Sequence, residues 1–253
     1  MSAHLLDVKN ICKYFPIERG ALRKETGQVK ALDNVSFSLA QESVLGIVGE
    51  SGSGKTTLAK IILRLIPPTS GECVFNDALI KNFRKDVQII FQNPYNSLDP
   101  KMRIGESIAE PLIIHRMLPP RKIKDRAVEL LRTVGLDTQA LGRRPGEFSG
   151  GQRQRICIAR ALACEPKCIV LDEPISSLDL TIQAQVLDLF LELQKRLRLT
   201  YIFISHNLAV IRHMAGAVIV MQDGRIVEQG TCQDIFTAPA QAYTKNLLAA
   251  AKV

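Results

Sequence analysis

The sequence lacks any apolar run of about 18 residues, the length that a helix needs to cross a bilayer. Its opening segment, MSAHLLDVKN, also lacks the basic-then-apolar pattern of a secretory signal. We therefore expect a cytosolic chain that meets a membrane through a partner. With 253 residues and 46% hydrophobic content, the chain can bury a substantial core.

Aromatic residues make up only 5% of the chain, and none of its six cysteines lies in a C-x-x-C pair. The formal net charge is +8, but the basic residues are scattered, and clumps such as RKIKDR at 121–126 contain no interleaved aromatics. We therefore expect no nucleic-acid partner and interpret the charge as solvated surface charge that attracts anionic nucleotide or lipid headgroups. We expect reduced, buried thiols, with CEPKC at 164–168 as an alternative metal clip.

Hydrophobic patterning predicts strands, then helices, then strands alternating with helices. Helices are predicted at about 55–65 and 181–197 and from about 208, and the spacing is helical throughout 104–164, with a helix closed by Gly135. AVIVMQDGRIVEQG predicts a hairpin with Asp223 and Gly224 at its turn. The helical block therefore reads as an insertion in an α/β core. The strands are predicted at LLDVKNICKYF, VSFSLA, VLGIVG, ECVF, VQIIF, CIVL and YIFIS.

The segment GESGSGKT, at 49–56, fits the pattern G-x-x-x-x-G-K-[ST] and lies between a predicted strand and a predicted helix. Its glycines let backbone N–H groups surround phosphate oxygens. Lys55 brings charge to the terminal phosphates, and Thr56 offers a hydroxyl to Mg²⁺. A glycine-rich turn is the alternative, but the strand–loop–helix context favours a phosphate-binding loop.

Polar residues follow three further apolar strands. In CIVLDEP, Asp172 is a candidate Mg²⁺ ligand and Glu173 a candidate general base, because phosphate ligands lie at the carboxyl ends of parallel strands. His206 in FISHN could touch the γ-phosphate or position the water, and Gln92 follows VQIIF. Taken singly, each is more often a cap or a surface residue. Beside a phosphate loop, the catalytic interpretation is favoured.

The segment FSGGQRQRICIARAL, at 148–162, places Ser-Gly-Gly directly before a basic amphipathic helix. Uncapped N–H groups at a helix N-terminus favour an anion. The residues themselves leave open whether that anion is held by this chain or by another.

Together, the motifs resemble those of one family, the nucleotide-binding subunits of ATP-binding-cassette (ABC) transporters, over nearly the whole chain. The resemblance rests on GESGSGKTT, Gln92 in IIFQNP, FSGGQ, VLDEP, SSLD at 176–179 and His206, in the family's order. It implies an α/β P-loop NTPase core with a parallel sheet, an N-terminal antiparallel β subdomain and an inserted α-helical subdomain. It also implies one ABC ATPase domain over 1–253, with the core in 1–92 and 166–253 and the helical subdomain in 93–165.

The resemblance implies ATP and Mg²⁺ as cofactors and a role for each motif residue. Glu173, His206 and Gln92 would be catalytic, and Thr56, Gln92 and Asp172 would hold Mg²⁺. ATP contacts are implied for the residues of the phosphate loop, the signature and the SSLD segment: Gly49, Glu50, Ser51, Gly52, Ser53, Gly54, Lys55, Thr56, Thr57, Ser149, Gly150, Gly151, Gln152 and Asp179.

Two implications concern neighbouring molecules and the base of ATP. In this family, the signature residues 149–152 bind the γ-phosphate of ATP held by the opposing subunit, and Asp179 would couple the two sites. An aromatic near the end of the first strand stacks on adenine. Phe15 fits best and Tyr14 is the alternative, with core packing as another interpretation of either.

Longer segments resemble the oligopeptide, dipeptide and nickel importers, among them FQNPYNSLDPKMRIGESIAEPL, SLDLTIQAQVLDLF and IFTAPAQAYTKNLL. This implies a peripheral ATPase at the cytoplasmic face of the membrane that powers import of peptides or a related small solute. Its implied partners are two permeases docked on the helical insertion, a second ATPase chain and, indirectly, an external binding protein. We expect a heterodimer, with a homodimer open.

Three positions depart from the family pattern. Phe148 stands for Leu at an apolar packing position, and Ser177 stands for Ala. Asn207 stands for Asp, and we expect it to cap the next helix as Asp would. The chain also ends soon after YTKNLL, so we expect no iron–sulfur cluster of the kind that extended relatives carry. The alternative function is a soluble cassette ATPase acting on DNA or ribosomes, which the positive charge mildly favours. Such proteins usually have a long coiled-coil insertion or two cassettes, and neither appears in this sequence. A kinase for a small metabolite would also show GKT, but it would need neither SGGQ nor SSLD, and both are present.

Overall fold

The computed structural model describes residues 4–19 and 24–251. They form two compact units, a first unit within Met1–Ile80 and Thr200–Val253 and a second unit of Lys81–Leu199. The strands are β1 (His4–Arg19), β2 (Lys24–Ala40), β3 (Val44–Val48), β4 (Ser70–Phe75), β5 (Val87–Ile90), β6 (Cys168–Asp172), β7 (Thr200–Ile204), β8 (Ala217–Gln222) and β9 (Arg225–Thr231).

Helices follow most of the strands. They are α1 (Lys55–Ile62), α2 (Phe83–Asp86), α3 (Pro94–Ser97), α4 (Ile104–Ile114), α5 (Pro120–Thr133), α6 (Gly150–Ala163), α7 (Leu180–Leu197), α8 (Leu208–Met214), α9 (Cys232–Thr237) and α10 (Ala242–Ala251), with 3₁₀ turns at Thr138–Gly142 and Pro145–Glu147.

The first unit combines an antiparallel sheet, in the order β2-β1-β4, with strands in the order β7-β3-β8-β9. In β2, Val35, Phe37 and Leu39 are buried between exposed serines, the alternation of a sheet covered on one face. Strand β3 is buried along its whole length and pairs in parallel with β7 and β8. This buried parallel strand leads directly into the predicted phosphate loop.

The predicted hairpin is confirmed as β8 and β9. Asp223 and Gly224 have φ values of 48° and 77°, as a tight two-residue hairpin turn requires, and Gln222 pairs with Arg225 across it. Helix α1 ends at Ile62, three residues before the predicted end at Leu65. It stops because Arg64 turns left-handed, with φ of 55°, before the Pro67-Pro68 pair is reached.

The second unit contains the parallel pair β5 and β6 and the helices α2 to α7. The predicted helical spacing over 104–164 is confirmed, although 3₁₀ turns interrupt it between α5 and α6. Helix α4 buries Ile104, Ile108 and Leu112, one face of a 3.6-residue period. After α5, Gly135 has φ of 72°, the closing role predicted for it.

The six cysteines are all free, and three of them are buried. Burial raises the pKa of Cys164 to about 11 and that of Cys168 to about 12, so both ends of CEPKC are unreactive thiols. Across residues 4–19 and 24–251, the structure contains no group of three or more acidic, His or Cys side chains arranged to hold a metal. Over the same residues, no helix is long and apolar enough to span a bilayer.

Candidate functional site

Two glycines give the predicted phosphate loop its shape. Gly49 has φ of 149°, and a Cβ there would collide with the carbonyl oxygen of Met221 on β8. Gly54 has φ of 102°, and its Cβ would lie 2.6 Å from the carbonyl oxygen of Ala31. Gly54 also occupies the N-cap of α1, where it has no side chain to cap the helix. The loop therefore presents the backbone of a helix N-terminus to an anion.

Lys55 is buried within the loop, with 6% of its surface exposed. Its Nζ donates to the carbonyl oxygens of Gly49 at 2.8 Å and Glu50 at 2.7 Å, and to Oγ of Ser53 at 3.3 Å. These oxygens hold the ammonium group inside the curve of the backbone. A buried positive charge in this position is suited to the terminal phosphates of a nucleotide.

Contacts outside the motif also support the loop. The amide N–H of Gly224, at the β8–β9 turn, donates to the carbonyl of Ser53 at 3.2 Å. The amide N–H of Glu50 donates to Oη of Tyr243 on α10 at 3.3 Å. The sequence did not predict this contact of Tyr243, which lies in the tail IFTAPAQAYTKNLL, a segment used only for a family resemblance.

His206 lies at the same edge of the sheet as the phosphate loop. Ile204 of β7 pairs in parallel with Ile47 of β3, so the segments that follow the two strands lie at the same edge of the sheet. His206 is exposed there. The next residue, Asn207, caps α8 through Oδ1, which accepts from Ala209 N at 3.0 Å, so the predicted capping role is confirmed.

Phe15 and Tyr14, the two candidate adenine-stacking residues, differ in their surroundings. Phe15 is 40% exposed, and the Nζ of Lys13 lies 5.1 Å from its ring centroid. Tyr14 is half-buried, and its hydroxyl donates to Oδ1 of Asp33 at 3.2 Å. Phe15 therefore presents the more accessible ring, and its stacking role stays a prediction.

Asp33 connects Tyr14 to the β8–β9 turn. Its Oδ2 accepts from Nε of Arg225 at 3.0 Å and from a second guanidinium nitrogen. The guanidinium of Arg225 holds the pKa of Asp33 below its ordinary value. Hydrogen bonding to Cys12, partial burial and Asp33 together raise the pKa of Tyr14 to about 12. The cluster joins β1, β2 and β9 next to the phosphate loop.

The second unit brings Gln92 and Glu173 together. Ile90 of β5 pairs in parallel with Leu171 of β6, so the residues that follow the two strands lie side by side. Nε2 of Gln92 donates to Oε2 of Glu173 at 3.2 Å. Asp172, the last residue of β6, is 9% exposed. These three residues were predicted to be catalytic or metal-binding, and they lie together at the carboxyl ends of β5 and β6.

The signature segment forms the N-terminus of α6, and Ser149 caps one of the N–H groups that were predicted to be uncapped. Oγ of Ser149 accepts from Gln152 N at 3.3 Å, and Ser149 N donates to Oε1 of Gln152 at 3.0 Å, a reciprocal capping box. Gly151 is buried against Ile182 of α7, with no space for a Cβ. Asp179 caps α7 by accepting from Ile182 N at 3.0 Å.

Aromatic residues brace the segments around the signature. Phe148, which stands where the family has Leu, is 6% exposed, and the guanidinium carbon of Arg143 lies 4.4 Å from its ring centroid. Arg153 of α6 stacks 3.9 Å from the ring centroid of Tyr95 and donates to the carbonyl of Pro145 at 2.7 Å. Phe148 thus occupies the apolar packing position predicted for it.

The predicted site residues are divided between the two units. The first unit carries Phe15, the loop residues 49–57 and His206. The second unit carries Gln92, Asp172, Glu173, the signature residues 149–152 and Asp179.

Comparisons with known proteins agree with this set of motifs. A family model described as ABC transporter matches residues 32–176, more than half of the chain. The dipeptide transport ATP-binding protein DppF of Haemophilus influenzae is 45% identical, over 97% of this chain and 77% of that protein. The glutathione import ATP-binding protein GsiA of Pectobacterium atrosepticum is 44% identical over 98% of this chain.

The match to the glutathione import protein covers 41% of its length, so the chain spans less than half of that relative. Among solved structures, the chain is similar to a dimeric ATP-binding cassette in a post-hydrolysis state, bound to ADP and Pi. The TM-score is 0.75 at 28% identity, over 90% of this chain and 98% of the other.

Proposed function

Because this chain belongs to the ABC transporter family, we propose that it is the ATP-binding and ATP-hydrolysing subunit of an importer of peptides or a related small solute. The observation that carries the proposal is the phosphate loop, in which buried Lys55 is enclosed by the carbonyls of Gly49 and Glu50. When ATP binds, the ammonium of Lys55 would exchange these carbonyls for the terminal phosphates.

We propose that Mg²⁺ binds together with the nucleotide, and each unit contributes candidate ligands. Thr56 exposes a hydroxyl at the second position of α1, and Asp172 brings a carboxylate to the end of β6. Gln92 donates through Nε2 to Glu173, which leaves its amide oxygen to act as a ligand. Mg²⁺ prefers such hard oxygen ligands, and when bound it offsets charge on the transferred phosphoryl group.

Hydrolysis requires a base for the attacking water, and we assign this role to Glu173. Its carboxylate would accept a proton from the water while the bond from Gln92 fixes its orientation. His206, exposed beside the phosphate loop, would contact the γ-phosphate or position the water.

We propose that catalysis takes place in a dimer. The N-terminus of α6, with Ser149 at its cap and Gly150 and Gly151 in its first turn, would bind the γ-phosphate on the opposing subunit. Asp179, which caps α7, would couple the two sites. The post-hydrolysis structure bound to ADP and Pi is also a dimer, which supports this arrangement.

A groove in the second unit is our candidate for the contact with a permease. It has a volume of about 1020 Å³ and lies among α4, α5 and the 3₁₀ turn at Thr138–Gly142. Ile113 and Ile114, at its border, are 58% and 67% exposed. Apolar side chains with this much exposure are typical of a surface that a partner covers. A short helix of the permease would fill it and hold the subunit at the cytoplasmic face of the membrane.

Purification of the chain from its native membrane fraction tests the proposal. We expect two permeases and a second ATPase chain to co-purify, with an external binding protein as a further component. The variant Ile113→Asp/Ile114→Asp should lose the permeases but keep ATP binding, because it places charge in the groove and leaves the phosphate loop unchanged. Recovery of ribosomes or DNA-repair proteins without membrane components would overturn the transport function and favour a soluble cassette ATPase.

A further inference from the structure

The C-terminal helix α10 reaches the phosphate loop through Tyr243. This residue is half-buried, and its Oη accepts the hydrogen bond from the amide N–H of Glu50 at 3.3 Å. Glu50 is the second residue of the loop, and Tyr243 lies 193 positions further along the chain. The G-x-x-x-x-G-K-[ST] motif therefore has a support that the motif itself does not contain.

The bond to Tyr243 fixes one end of a peptide group whose other end is also held. The Gly49 carbonyl belongs to the same peptide plane as the Glu50 amide, and it accepts from Nζ of Lys55 at 2.8 Å. Because a peptide group is planar, its carbonyl and its amide turn together. Tyr243 therefore fixes the direction in which the Gly49 carbonyl faces Lys55.

This restraint acts on a peptide group that follows a glycine, the residue with the widest range of backbone conformations. Gly49 lacks a Cβ and has φ of 149°, a conformation that other residues rarely adopt. In an unrestrained loop, the peptide between Gly49 and Glu50 would sample several orientations. Binding a phosphate would then require these to be reduced to one, at a cost in conformational entropy.

Helix α10 is itself anchored, so Tyr243 has a fixed position. The carboxylate of Glu228 on β9 accepts from Ala240 N at 2.7 Å and Gln241 N at 3.1 Å, just before the helix begins. Leu248 is 7% exposed and fixes the middle of the helix. The hydroxyl of Tyr243 thus transmits the position of a packed helix to the phosphate loop.

We propose that Tyr243 is a positioning residue of the ATP site, which preorganises the phosphate loop by holding the peptide between Gly49 and Glu50. This inference rests on the proposed ATP-binding function. Tyr243 contacts the backbone of the loop, so its effect falls on the affinity for ATP and leaves the hydrolytic step unchanged.

The variant Tyr243→Phe tests the role because it removes the hydroxyl and keeps the ring. Without nucleotide, hydrogen–deuterium exchange of the amide of Glu50 should accelerate by about three- to tenfold, the effect of losing one hydrogen bond. The KM for ATP should rise by a similar factor, with kcat within about twofold of wild type. The matched control is Asn246→Ala, at an exposed position on the same helix, which should change neither the exchange of Glu50 nor the KM.

The outcomes separate this inference from the function on which it rests. If the wild-type chain neither binds nor hydrolyses ATP, the proposed function fails and the inference fails with it. If the wild type binds ATP and Tyr243→Phe equals it in both exchange and KM, only the positioning role is overturned. A lower kcat with an unchanged KM would also overturn it, because that result places Tyr243 in the chemical step.

Discussion

Glu173 holds a backbone conformation that residues other than glycine rarely adopt, with φ of 49°. Such strained conformations cost of order 1–3 kcal/mol and persist where the surroundings hold them, often at functional sites. Here the Glu173 carbonyl accepts from Ser176 N at 3.3 Å and from its Oγ at 3.1 Å, while the side chain meets Gln92. The backbone and the carboxylate are therefore fixed separately, which suits the base role proposed for Glu173.

Replacing Glu173 by Gln tests its role as the base. The amide keeps the size of the side chain but cannot accept a proton from water. We expect ATP binding to persist and turnover to fall by about two or more orders of magnitude. Steady-state phosphate release and equilibrium ATP binding measure the two effects, and size-exclusion chromatography with ATP should reveal a trapped dimer.

The matched control for Glu173→Gln is Glu192→Gln on α7. Glu192 forms an exposed ion pair with Arg196 at 3.1 Å, of the kind that contributes little to stability. Its turnover should equal that of the wild type. Wild-type turnover in Glu173→Gln would remove Glu173 from the chemical step.

At the scale of elements, the packing of α6 on α7 depends on the second glycine of the signature. A Cβ on Gly151 would clash with Cγ2 of Ile182, a branched side chain of α7. A Cβ on Gly150 would lie 3.2 Å from Cδ2 of Leu178, where a small shift relieves the contact. The two adjacent glycines therefore differ in how closely a neighbouring side chain approaches them.

Alanine substitutions at the two glycines test whether this difference in packing affects stability. We expect Gly151→Ala to destabilise the chain by about 1–3 kcal/mol, because overpacking forces the helices apart. The free energy of unfolding of Gly150→Ala should lie within about 1 kcal/mol of the wild-type value, because alanine favours the helix more than glycine does. Chemical denaturation of nucleotide-free protein measures both, independently of any role in ATP binding. Equal losses would mean that the packing of α7 does not select glycine at 151.

The cluster of Tyr14, Asp33 and Arg225 gives a pH-dependent link between β1, β2 and the β8–β9 hairpin. Because Arg225 lowers the pKa of Asp33 in the folded state, the link adds stability above the unfolded pKa. That stability is lost as the pH falls through the lowered folded pKa. We expect Asp33→Asn to lower Tm by about 1–3 °C at pH 6. The difference from wild type should shrink below about pH 3.9.

Asp125→Asn, at an exposed position on α5, is the matched control for Asp33→Asn. It should leave Tm unchanged over the same pH range. A difference between Asp33→Asn and wild type that stays constant down to pH 2 would show that the ionised carboxylate does not carry the effect.

Local patterns predicted the elements whose causes are local. Three such patterns act within a few residues: the alternation in VSFSLA, the glycines between β3 and α1, and the Asp223-Gly224 turn. The structure shows the strand, the loop and the hairpin at these positions. The ends of elements were harder, because the left-handed Arg64 that stops α1 has no strong sequence signal. Strand β2 begins at Lys24, eleven positions before the predicted VSFSLA, since its pairing with β1 extends it.

Contacts between distant segments could not be predicted from the sequence. Arg225 and Asp33 are 192 positions apart, and Tyr243 lies 193 positions from Glu50. No periodicity or spacing connects such residues, since the fold alone brings them together. The motifs gave the candidate groups for the chemistry, and contacts such as that between Tyr243 and Glu50 became visible only in the structure.

At the scale of the whole molecule, the proposed dimer makes a prediction that can be tested only with two subunits. If the signature binds the partner's nucleotide, a negative charge at the start of α6 should block dimerisation and spare ATP binding by the monomer. Ser149→Asp introduces this charge without removing the cap, because Asp and Ser are comparable N-cap residues. Ser149→Asn keeps the cap without adding charge.

We expect the ATP-dependent dimer of Ser149→Asp to weaken by at least about tenfold, because its carboxylate would face a phosphate across the interface. The dimer of Ser149→Asn should weaken less than that of Ser149→Asp. Both variants should bind ATP as monomers with wild-type affinity. Sedimentation with ATP, in the Glu173→Gln background that prevents hydrolysis, measures the dimer, and a fluorescent ATP analogue measures the monomer. Equal loss of ATP affinity in the monomer would place the signature in the site of its own chain, and the dimeric mechanism would then be wrong.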